Sequence, residues 1–466
     1  MSGLELAPNR PLTLRARLPP ASWILIGSVA AGGLNYVYAL AMTALLAPPE
    51  YSIFAGGQAI TVITGTVANT SVPWLLAREI SLARDRSQVR TVVWFAVILN
   101  FAIGVGAAAL TVGLAADFAD LATVTWLAAA TLIVFVASTG MGWALGRERL
   151  GLLAGLIAAE VAIKAVLGLA LVAAGAGPAG AFAATLGGAL AITIYMLVPM
   201  RADLRPRIAL GSRYLWRSAV GMGGVQAAVT LLSVIDVLFV SLRFGGTRTA
   251  AEYQVSATLT RAPLFLALAF ATAAFPKLAR RAGDRAVLSA HTRHVLGVLV
   301  PLLIVMATLP DPILAALLPR DYEGAVRFLP LTAALSTCYG LVAFQTTVFR
   351  ADGRARECMS ILAGACALSL AAMALGATID VYWLAVGALV GAVTAVAALA
   401  VRTERRWSGA QRPELRMLLL WPALCAVLIV TRPVPWLWLC LAGVVSVQIV
   451  RAALASPDRA AALDAR

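Results

Sequence analysis

The stretch MRADLRPRIALGSRYLWR, residues 200–217, lies between two long apolar blocks and decides how the chain is divided. Five arginines fall within residues 201–217, and Pro206 and Gly211 discourage one continuous helix. An arginine at the centre of a bilayer costs about 2.5–3.5 kcal/mol even on a lenient insertion scale. We therefore expect this stretch to stay in water beside anionic lipid headgroups, as a cytoplasmic link between two membrane-embedded halves.

The composition on either side of the link is that of an integral membrane protein. Of the 466 residues, 61% are hydrophobic and only 13% are charged, which is too much apolar surface for a soluble core of ordinary composition. The net charge of +15 comes from basic residues in short connections between apolar runs. This pattern favours a membrane surface, and no nucleic acid, as the partner of the basic residues.

Fourteen apolar stretches are long enough to cross about 30 Å of hydrocarbon, and we predict a transmembrane helix in each. They are residues 21–47, 51–77, 91–116, 121–145, 150–176, 178–200, 215–243, 252–276, 293–318, 326–349, 357–379, 381–401, 416–431 and 434–454. The outer connections between them are too short to form an extracellular catalytic domain, so we do not expect an enzyme.

The distribution of Lys and Arg tests this assignment, because these residues should collect in alternate connections. About thirty of them lie in the two tails and in the even-numbered connections, against Arg243, Arg248, Arg320, Arg327 and Arg432 in the others. Both termini are therefore expected in the cytoplasm. The tails 1–20 and 455–466 would be cytoplasmic, and the protein would cross the cytoplasmic membrane many times.

The two halves of the chain repeat each other at an offset near 202 residues. Glu50-Tyr51 recurs as Glu252-Tyr253, Leu76-Ala77-Arg78 recurs as Leu278-Ala279-Arg280, and Asn35 falls within one residue of Asp236. An even number of helices separates the copies, so both halves keep the same orientation about an axis along the membrane normal. We predict a six-helix lobe at 21–200, the linker 201–217, a second six-helix lobe at 215–401, and two extra helices within 402–454.

A family resemblance rests on four segments of this sequence. They are Pro48-Pro49-Glu50-Tyr51, Ile235-Asp236-Val237-Leu238-Phe239-Val240, Ala251-Glu252-Tyr253-Gln254-Val255 and Phe275-Pro276-Lys277-Leu278-Ala279-Arg280. With fourteen predicted helices, the chain resembles a polysaccharide-type flippase of the multidrug/oligosaccharidyl-lipid/polysaccharide exporter superfamily, over about residues 21–401.

The resemblance implies a substrate as well as a fold. Members of this superfamily flip polyprenyl-diphosphate-linked oligosaccharides or peptidoglycan precursor, or expel cationic drugs. It implies alternating access and polysaccharide assembly proteins as partners. Because the sequence has no phosphate-binding loop, the energy is expected from a proton or sodium gradient or from consumption of the product outside. The alternatives at this stage are a peptidoglycan-precursor flippase, a cation-coupled drug exporter, and a membrane scaffold for envelope synthesis that transports nothing.

Two pairs of charged residues fall within the predicted spans, where an ion must face a cavity or a partner. Glu160 and Lys164 are four residues apart on one helix face, either as a self-neutralised pair or with Lys164 facing a substrate diphosphate. Asp236 and Arg261 are expected at similar depth on neighbouring helices. They form either a structural or gating ion pair, or a site in which the Arg261 guanidinium binds a diphosphate through two parallel hydrogen bonds.

Uncharged polar residues complete the candidate site. Asn35 and Gln226 are expected to line the cleft, because they lie on the first and seventh spans, which line it in the family resembled. Asp236 and Glu160 are the candidates for coupling or gating. The five cysteines show no paired spacing, and no Cys or further His lies near His291 and His294 to complete a metal site. The sequence also contains no phosphate-binding loop. We therefore predict no metal and no cofactor.

Overall fold

The structure is a computed structural model that describes residues 20–204, 213–281, 284–406 and 415–454. Within these ranges it is built of helices without strands. The α-helices are α1 Pro20–Leu45, α2 Pro48–Thr70, α3 Val72–Leu82, α4 Arg86–Ala115, α5 Leu121–Gly146, α6 Leu150–Leu171, α7 Gly177–Met200, α8 Arg213–Phe244, α9 Arg248–Leu259, α10 Ala262–Arg280, α11 Arg285–Ala307, α12 Asp311–Leu317, α13 Leu329–Ala351, α14 Ala355–Gly376, α15 Val381–Arg406, α16 Leu415–Thr431 and α17 Pro435–Leu454.

These helices follow the fourteen predicted spans closely. The second span is broken into α2 and α3, and the eighth into α9 and α10. By length and composition, eleven described segments could cross a membrane, one of which holds both α6 and α7. The predicted fold class, an all-α multi-pass membrane protein, is therefore confirmed.

One predicted span was wrong in its extent. The stretch 293–318 is not one helix, because α11 ends at Ala307 and the short helix α12 begins at Asp311. Pro310 and Pro312 flank that start, and a proline disfavours the helical conformation in the residue before it. A 3₁₀ segment, Arg320–Phe328, then leads into α13.

The internal repeat is visible in the packing as well as in the sequence. In the first half, α1 packs on α6, α4 on α5, α5 on α7 and α6 on α7. The same partners recur in the second half, where α8 packs on α14, α11 on α13, α13 on α15 and α14 on α15. The halves meet where α2 packs on α8 and α1 on α9, while α16 and α17 pack on α11.

The connections define two faces of the molecule. We call the face that carries connections 83–85, 147–149, 201–204 and 352–354 the basic face, and the other the opposite face. On the opposite face, three of the five arginines of the odd-numbered connections have carboxylate partners. Arg248 and Arg327 lie 3.1 and 3.3 Å from the Glu252 carboxylate, and Arg432 lies 2.6 Å from Asp311.

The start of the predicted linker is fixed to the first lobe at the basic face. Asp203 accepts hydrogen bonds from Trp143 Nε1 at 3.0 Å and from Arg147 Nη2 at 2.8 Å. Burial alone would raise the pKa of Asp203, but these two hydrogen bonds and the charges of Arg147 and Arg86 hold it below its usual value. Residues 1–19, 205–212 and 455–466, which hold most of the predicted tails and the centre of the linker, lie outside the described residues.

Candidate functional site

A central cavity of about 440 Å³ lies between the two lobes. It is lined by side chains of α1, α2, α6, α8, α9 and α10. The structure brings together in it all four residues predicted to bind substrate, namely Asn35, Lys164, Gln226 and Arg261. Among the described residues that line this cavity, two are cations and none is a carboxylate.

Lys164 reaches the cavity from α6, which packs against α1. Its Nζ donates a hydrogen bond to Asn35 Oδ1 and lies 5.2 Å from the centre of the Tyr38 ring. Gly168, one turn further along α6, lets the Tyr38 hydroxyl approach so closely that a Cβ there would collide with it. Lys164 is therefore held by an amide and an aromatic face, neither of which neutralises its charge.

Glu160 does not form the direct pair with Lys164 that was one reading of the sequence. Among the described residues, no ion pair within 4.0 Å joins Glu160 to a cation. The i, i+4 spacing puts the two residues on one face of α6, but Lys164 turns to Asn35 instead. Glu160 lines an adjoining cavity of about 380 Å³, which Lys164 and Asn35 also line.

Arg261 lies at the break between α9 and α10. Pro263 follows it by two residues and has no N–H to continue the helical hydrogen-bond ladder, so the chain closes a tighter turn from Arg261 N to Thr258 O at 3.2 Å. Within the described part of the chain, the Arg261 guanidinium has neither a hydrogen bond nor an ion pair. The repeat does not reproduce this arrangement, because the break in the first lobe falls at Ser71, whereas the counterpart of Arg261 is Ala59 inside α2.

Asp236 lies beside Arg261. Among the described residues no ion pair within 4.0 Å joins the two, so the structure does not show the ion pair that was one of the two alternatives from the sequence. The Oδ2 atom of Asp236 accepts a hydrogen bond of 2.5 Å from the Tyr253 hydroxyl, and its Oδ1 atom has no partner among the described residues. Asp236 borders a void of about 20 Å³, which Arg261, Ser336 and Tyr339 also line. This volume is enough for about one water molecule.

The central cavity continues towards the basic face through two adjoining cavities. One is the 380 Å³ cavity beside Glu160, and the other, of about 770 Å³, extends to Arg350 at the end of α13. Thr61 lines all three cavities, and Gln226 lines the central and the largest one. The three cavities together form one cleft, and we call the 770 Å³ cavity the mouth of the cleft.

Towards the opposite face the cleft is closed by tyrosines that bridge the lobes. Tyr36 donates to Leu259 O at 2.9 Å, Tyr322 donates to Leu46 O at 3.0 Å, and the Tyr51 hydroxyl lies 3.1 Å from Thr258 Oγ1. The rings of Tyr51 and Tyr322 also contact each other edge to face, and both are 1% exposed. In the described part of the chain, these bridges close the cleft towards the opposite face, and its adjoining cavities lie towards the basic face.

The sequence of the first lobe and of α8 to α10 matches a family model. The model is that of the polysaccharide biosynthesis protein family, and it matches residues 20–281, more than half of the chain. The chain belongs to this polysaccharide biosynthesis protein family. The family predicted from the sequence is therefore confirmed. Comparison with curated protein sequences gave no match.

Superposition with solved structures shows which fold this family member has. Lipid II flippase MurJ in an inward closed conformation superposes with a TM-score of 0.71 at 10% identity, over 91% of this chain and 98% of MurJ. An inward-facing multidrug resistance MATE family transporter of the MOP superfamily gives 0.62 at 13% identity, over 81% and 95% of the two chains. A MOP superfamily transporter from Pyrococcus furiosus gives 0.56 at 15% identity, over 84% and 96%. This polysaccharide biosynthesis protein therefore shares the fold of MOP superfamily transporters.

Several residues of the cleft in this family member were missed by the sequence reasoning. Tyr36, Tyr51 and Tyr322 close the opposite face, and Trp74 and Arg350 line the mouth. The Glu-Tyr repeat marked Tyr51 as an equivalent position but could not show that its hydroxyl crosses to the other lobe. A tyrosine in an apolar helix carries no signal that separates such a bridge from ordinary packing.

One further polar residue of the polysaccharide biosynthesis protein, Asn100, is structural. Asn100 is buried and donates to Ser138 Oγ and Thr139 Oγ1 at 3.2 and 2.8 Å, which joins α4 to α5 away from the cleft. In the described ranges, no group of three or more His, Cys, Asp and Glu side chains is arranged to hold a metal ion.

Proposed function

We propose that this protein is a flippase that moves a polyprenyl-diphosphate-linked saccharide across the cytoplasmic membrane by alternating access. The observation that carries the proposal is the pair of cations, Lys164 and Arg261, that line one cavity between two lobes and have no carboxylate within 4.0 Å among the described residues. A buried charge without a counterion is costly in a membrane, so such residues face a ligand or a water-filled path. A diphosphate supplies the missing negative charge.

The chemistry of the two cations suits a diphosphate. The Arg261 guanidinium can donate two parallel hydrogen bonds to phosphate oxygens, and the Lys164 ammonium acts as a point charge beside them. Asn35 already accepts a hydrogen bond from Lys164, so it orients the ammonium before the ligand arrives. A low-dielectric cavity strengthens each of these attractions relative to water.

The orientation in the membrane follows from the charge distribution. Because Lys and Arg favour the cytoplasmic side, the basic face and both termini are assigned to the cytoplasm. The cleft would then be open to the cytoplasm, where a lipid-linked precursor is made, and the tyrosine bridges would seal the outer side. Outward release requires those bridges to break while the mouth closes.

Energy for the cycle is assigned to an ion gradient acting at Asp236, with Glu160 as the second candidate. One carboxylate oxygen of Asp236 has no partner among the described residues, and Asp236 borders a void beside Arg261. A proton or sodium ion taken up there would change the field at Arg261 and so the affinity of the central cavity for an anion. Polysaccharide assembly proteins are the expected partners on either side.

The rival functions make different demands on the cavity. A cation-coupled drug exporter needs an acidic cavity for its cargo, whereas the two ionised residues that line this one are cations. The similarity to MurJ over 91% of this chain favours a peptidoglycan precursor as the second candidate, since that ligand also carries a polyprenyl diphosphate. A scaffold for envelope synthesis would tolerate the loss of both cations.

The test is transbilayer movement of a fluorescent undecaprenyl-diphosphate oligosaccharide in liposomes that contain the purified protein. Lys164→Gln and Arg261→Gln should each slow movement about tenfold or more, because each removes a charge-assisted contact worth about 1.5–3 kcal/mol. Arg261→Lys should recover part of the rate, and Arg405→Gln, which changes an exposed arginine at the end of α15, should have none of these effects.

The same assay can reject the proposal. If the wild type moves no lipid under either a proton or a sodium gradient, the flippase assignment is wrong for this substrate class. If the wild type moves the lipid and the double variant Lys164→Gln/Arg261→Gln moves it equally fast, the cations are not the diphosphate site. If a strain that depends on this protein grows normally with the double variant, the scaffold function is favoured.

A further inference from the structure

The mouth of the cleft has a different chemistry from the central cavity. Its described lining includes the uncharged side chains of Asn69, Trp74 and Gln226, with Arg350 at its outer edge and no carboxylate. Asn69 lies on α2, Trp74 on α3 and Gln226 on α8, so residues of both lobes border the space. A ligand that fits here needs hydrogen-bonding groups more than negative charge.

Trp74 is presented to the mouth on a rigid support. Trp74 is 55% exposed and lines both the mouth and the 380 Å³ cavity, so part of its exposed surface faces the cleft. Its neighbours Pro73 and Leu75 are buried against the first lobe. Gly142 of α5 lies so close that a Cβ there would come within 2.6 Å of Pro73 Cα, which holds the start of α3 in place.

The exposed position of Trp74 is not that of an ordinary membrane anchor. Tryptophans enriched at membrane interfaces turn their rings to lipid, as the 79% exposed Trp436 at the start of α17 can do. Trp74 instead faces a space between two lobes. Within the described ranges its indole N–H also has no hydrogen-bond acceptor, so the donor is free for a ligand.

The two amides around Trp74 are likewise free. Neither Asn69 nor Gln226 makes a side-chain hydrogen bond to any described residue, although each amide offers two donors and one acceptor oxygen. The buried amide of Asn100, away from the cleft, behaves differently, since it donates to Ser138 and Thr139. Free amides beside an aromatic face match a ligand that has an apolar ring face and a rim of hydroxyls, which is the chemistry of a pyranose.

We propose that Trp74, Asn69 and Gln226 form a saccharide subsite in the mouth, with a sugar ring against the indole and its hydroxyls on the two amides. This inference rests on the proposed function and adds where the sugar lies. Trp74 is eight residues from the basic end of α3, about 12 Å, whereas Lys164 is fourteen residues from the basic end of α6, about 21 Å. The diphosphate therefore lies deep, and the saccharide lies about 9 Å nearer the basic face.

Binding of two lipid probes distinguishes this subsite from the diphosphate site. The probes are undecaprenyl diphosphate and the same lipid carrying one N-acetylglucosamine, and the measurement is the Kd of each for the purified full chain in nanodiscs. Trp74→Ala should weaken binding of the glycosylated lipid about tenfold and change the Kd of the bare lipid by less than about twofold. Trp74→Phe keeps an aromatic face and should retain most of the affinity.

Further variants test the other residues of the subsite and provide controls. Asn69→Ala and Gln226→Ala should each weaken only the glycosylated lipid, by about fivefold. Lys164→Gln should weaken both lipids by the same factor, because it acts on the diphosphate. Trp436→Ala removes a tryptophan far from the cleft and should change neither Kd.

Each outcome decides between the two proposals. If the bare lipid binds in a Lys164-dependent manner but the sugar adds no affinity, or if Trp74→Ala weakens both lipids equally, the saccharide subsite is wrong and the diphosphate site stands. If the wild type binds neither lipid, both proposals fail. Selective loss of the glycosylated lipid in Trp74→Ala, with retention in Trp74→Phe, supports the subsite.

Discussion

The tyrosine bridges at the opposite face should set how often the cleft opens on that side. Tyr51→Phe removes the contact of 3.1 Å between its hydroxyl and Thr258 Oγ1, and leaves the ring in place against Tyr322. Thr258 keeps a second partner, because its hydroxyl also donates to Gln254 O at 2.9 Å. The variant therefore loses one net hydrogen bond, about 1 kcal/mol, without leaving a buried group unpaired.

That energy predicts the size of the shift. A loss of about 1 kcal/mol in the state closed at the opposite face raises the ratio of open to closed molecules about fivefold. Tyr36→Phe should act more strongly, since it leaves the Leu259 carbonyl without its 2.9 Å donor. The double variant, at more than about 2 kcal/mol, should raise the ratio more than about thirtyfold, which remains measurable when the open state of the wild type is rare.

The assay is the distance between two spin labels at the opposite face, measured by pulsed electron spin resonance. Asp117→Cys in the first lobe and Ile379→Cys in the second place the labels on exposed connections, after replacement of the five native cysteines. The matched control is Tyr195→Phe, because Tyr195 is 56% exposed on α7. The reasoning is refuted if Tyr51→Phe and the double variant leave the distance distribution as it is in the control.

Two further predictions concern stability. Gly142→Ala should lower the free energy of unfolding by about 1–3 kcal/mol, because its Cβ would come within 2.6 Å of the backbone of α3. The matched control, Gly106→Ala, should not lower it, because a Cβ there would meet no described atom within 4 Å. Thermal unfolding in detergent compares the two variants. Asp203→Asn should cost about 1 kcal/mol at neutral pH through loss of the charged contact with Arg147. Since the folded pKa of Asp203 lies below its unfolded value, its stabilisation is present above about pH 4 and is lost as the pH falls through the folded value, so the melting temperatures of wild type and variant should converge in acid. A difference that grows in acid would contradict this sign.

The sequence predicted which cations belong to the candidate site but not which residues contact them. Lys164 and Arg261 could be singled out because a cation in an apolar span is rare and costly whatever surrounds it. Their neighbours could not, since Glu160 is one helical turn from Lys164 and yet Asn35 of another helix is its partner. The break before Pro263 moves Arg261 out of the regular helix, which spacing along an unbroken helix cannot anticipate.

By itself, the sequence determined the number and order of the spans, the repeat of the two halves and the face that carries the basic connections. The reason is local: hydrocarbon demands about twenty apolar residues per span and keeps arginine out, so composition along the chain is enough. The tertiary structure alone decided that three tyrosines seal one side, that Asp236 bonds to Tyr253 and not to Arg261, and that Trp74 faces the cleft. Those outcomes depend on how each helix is rotated and how the lobes meet, which is set by packing between residues far apart in the chain.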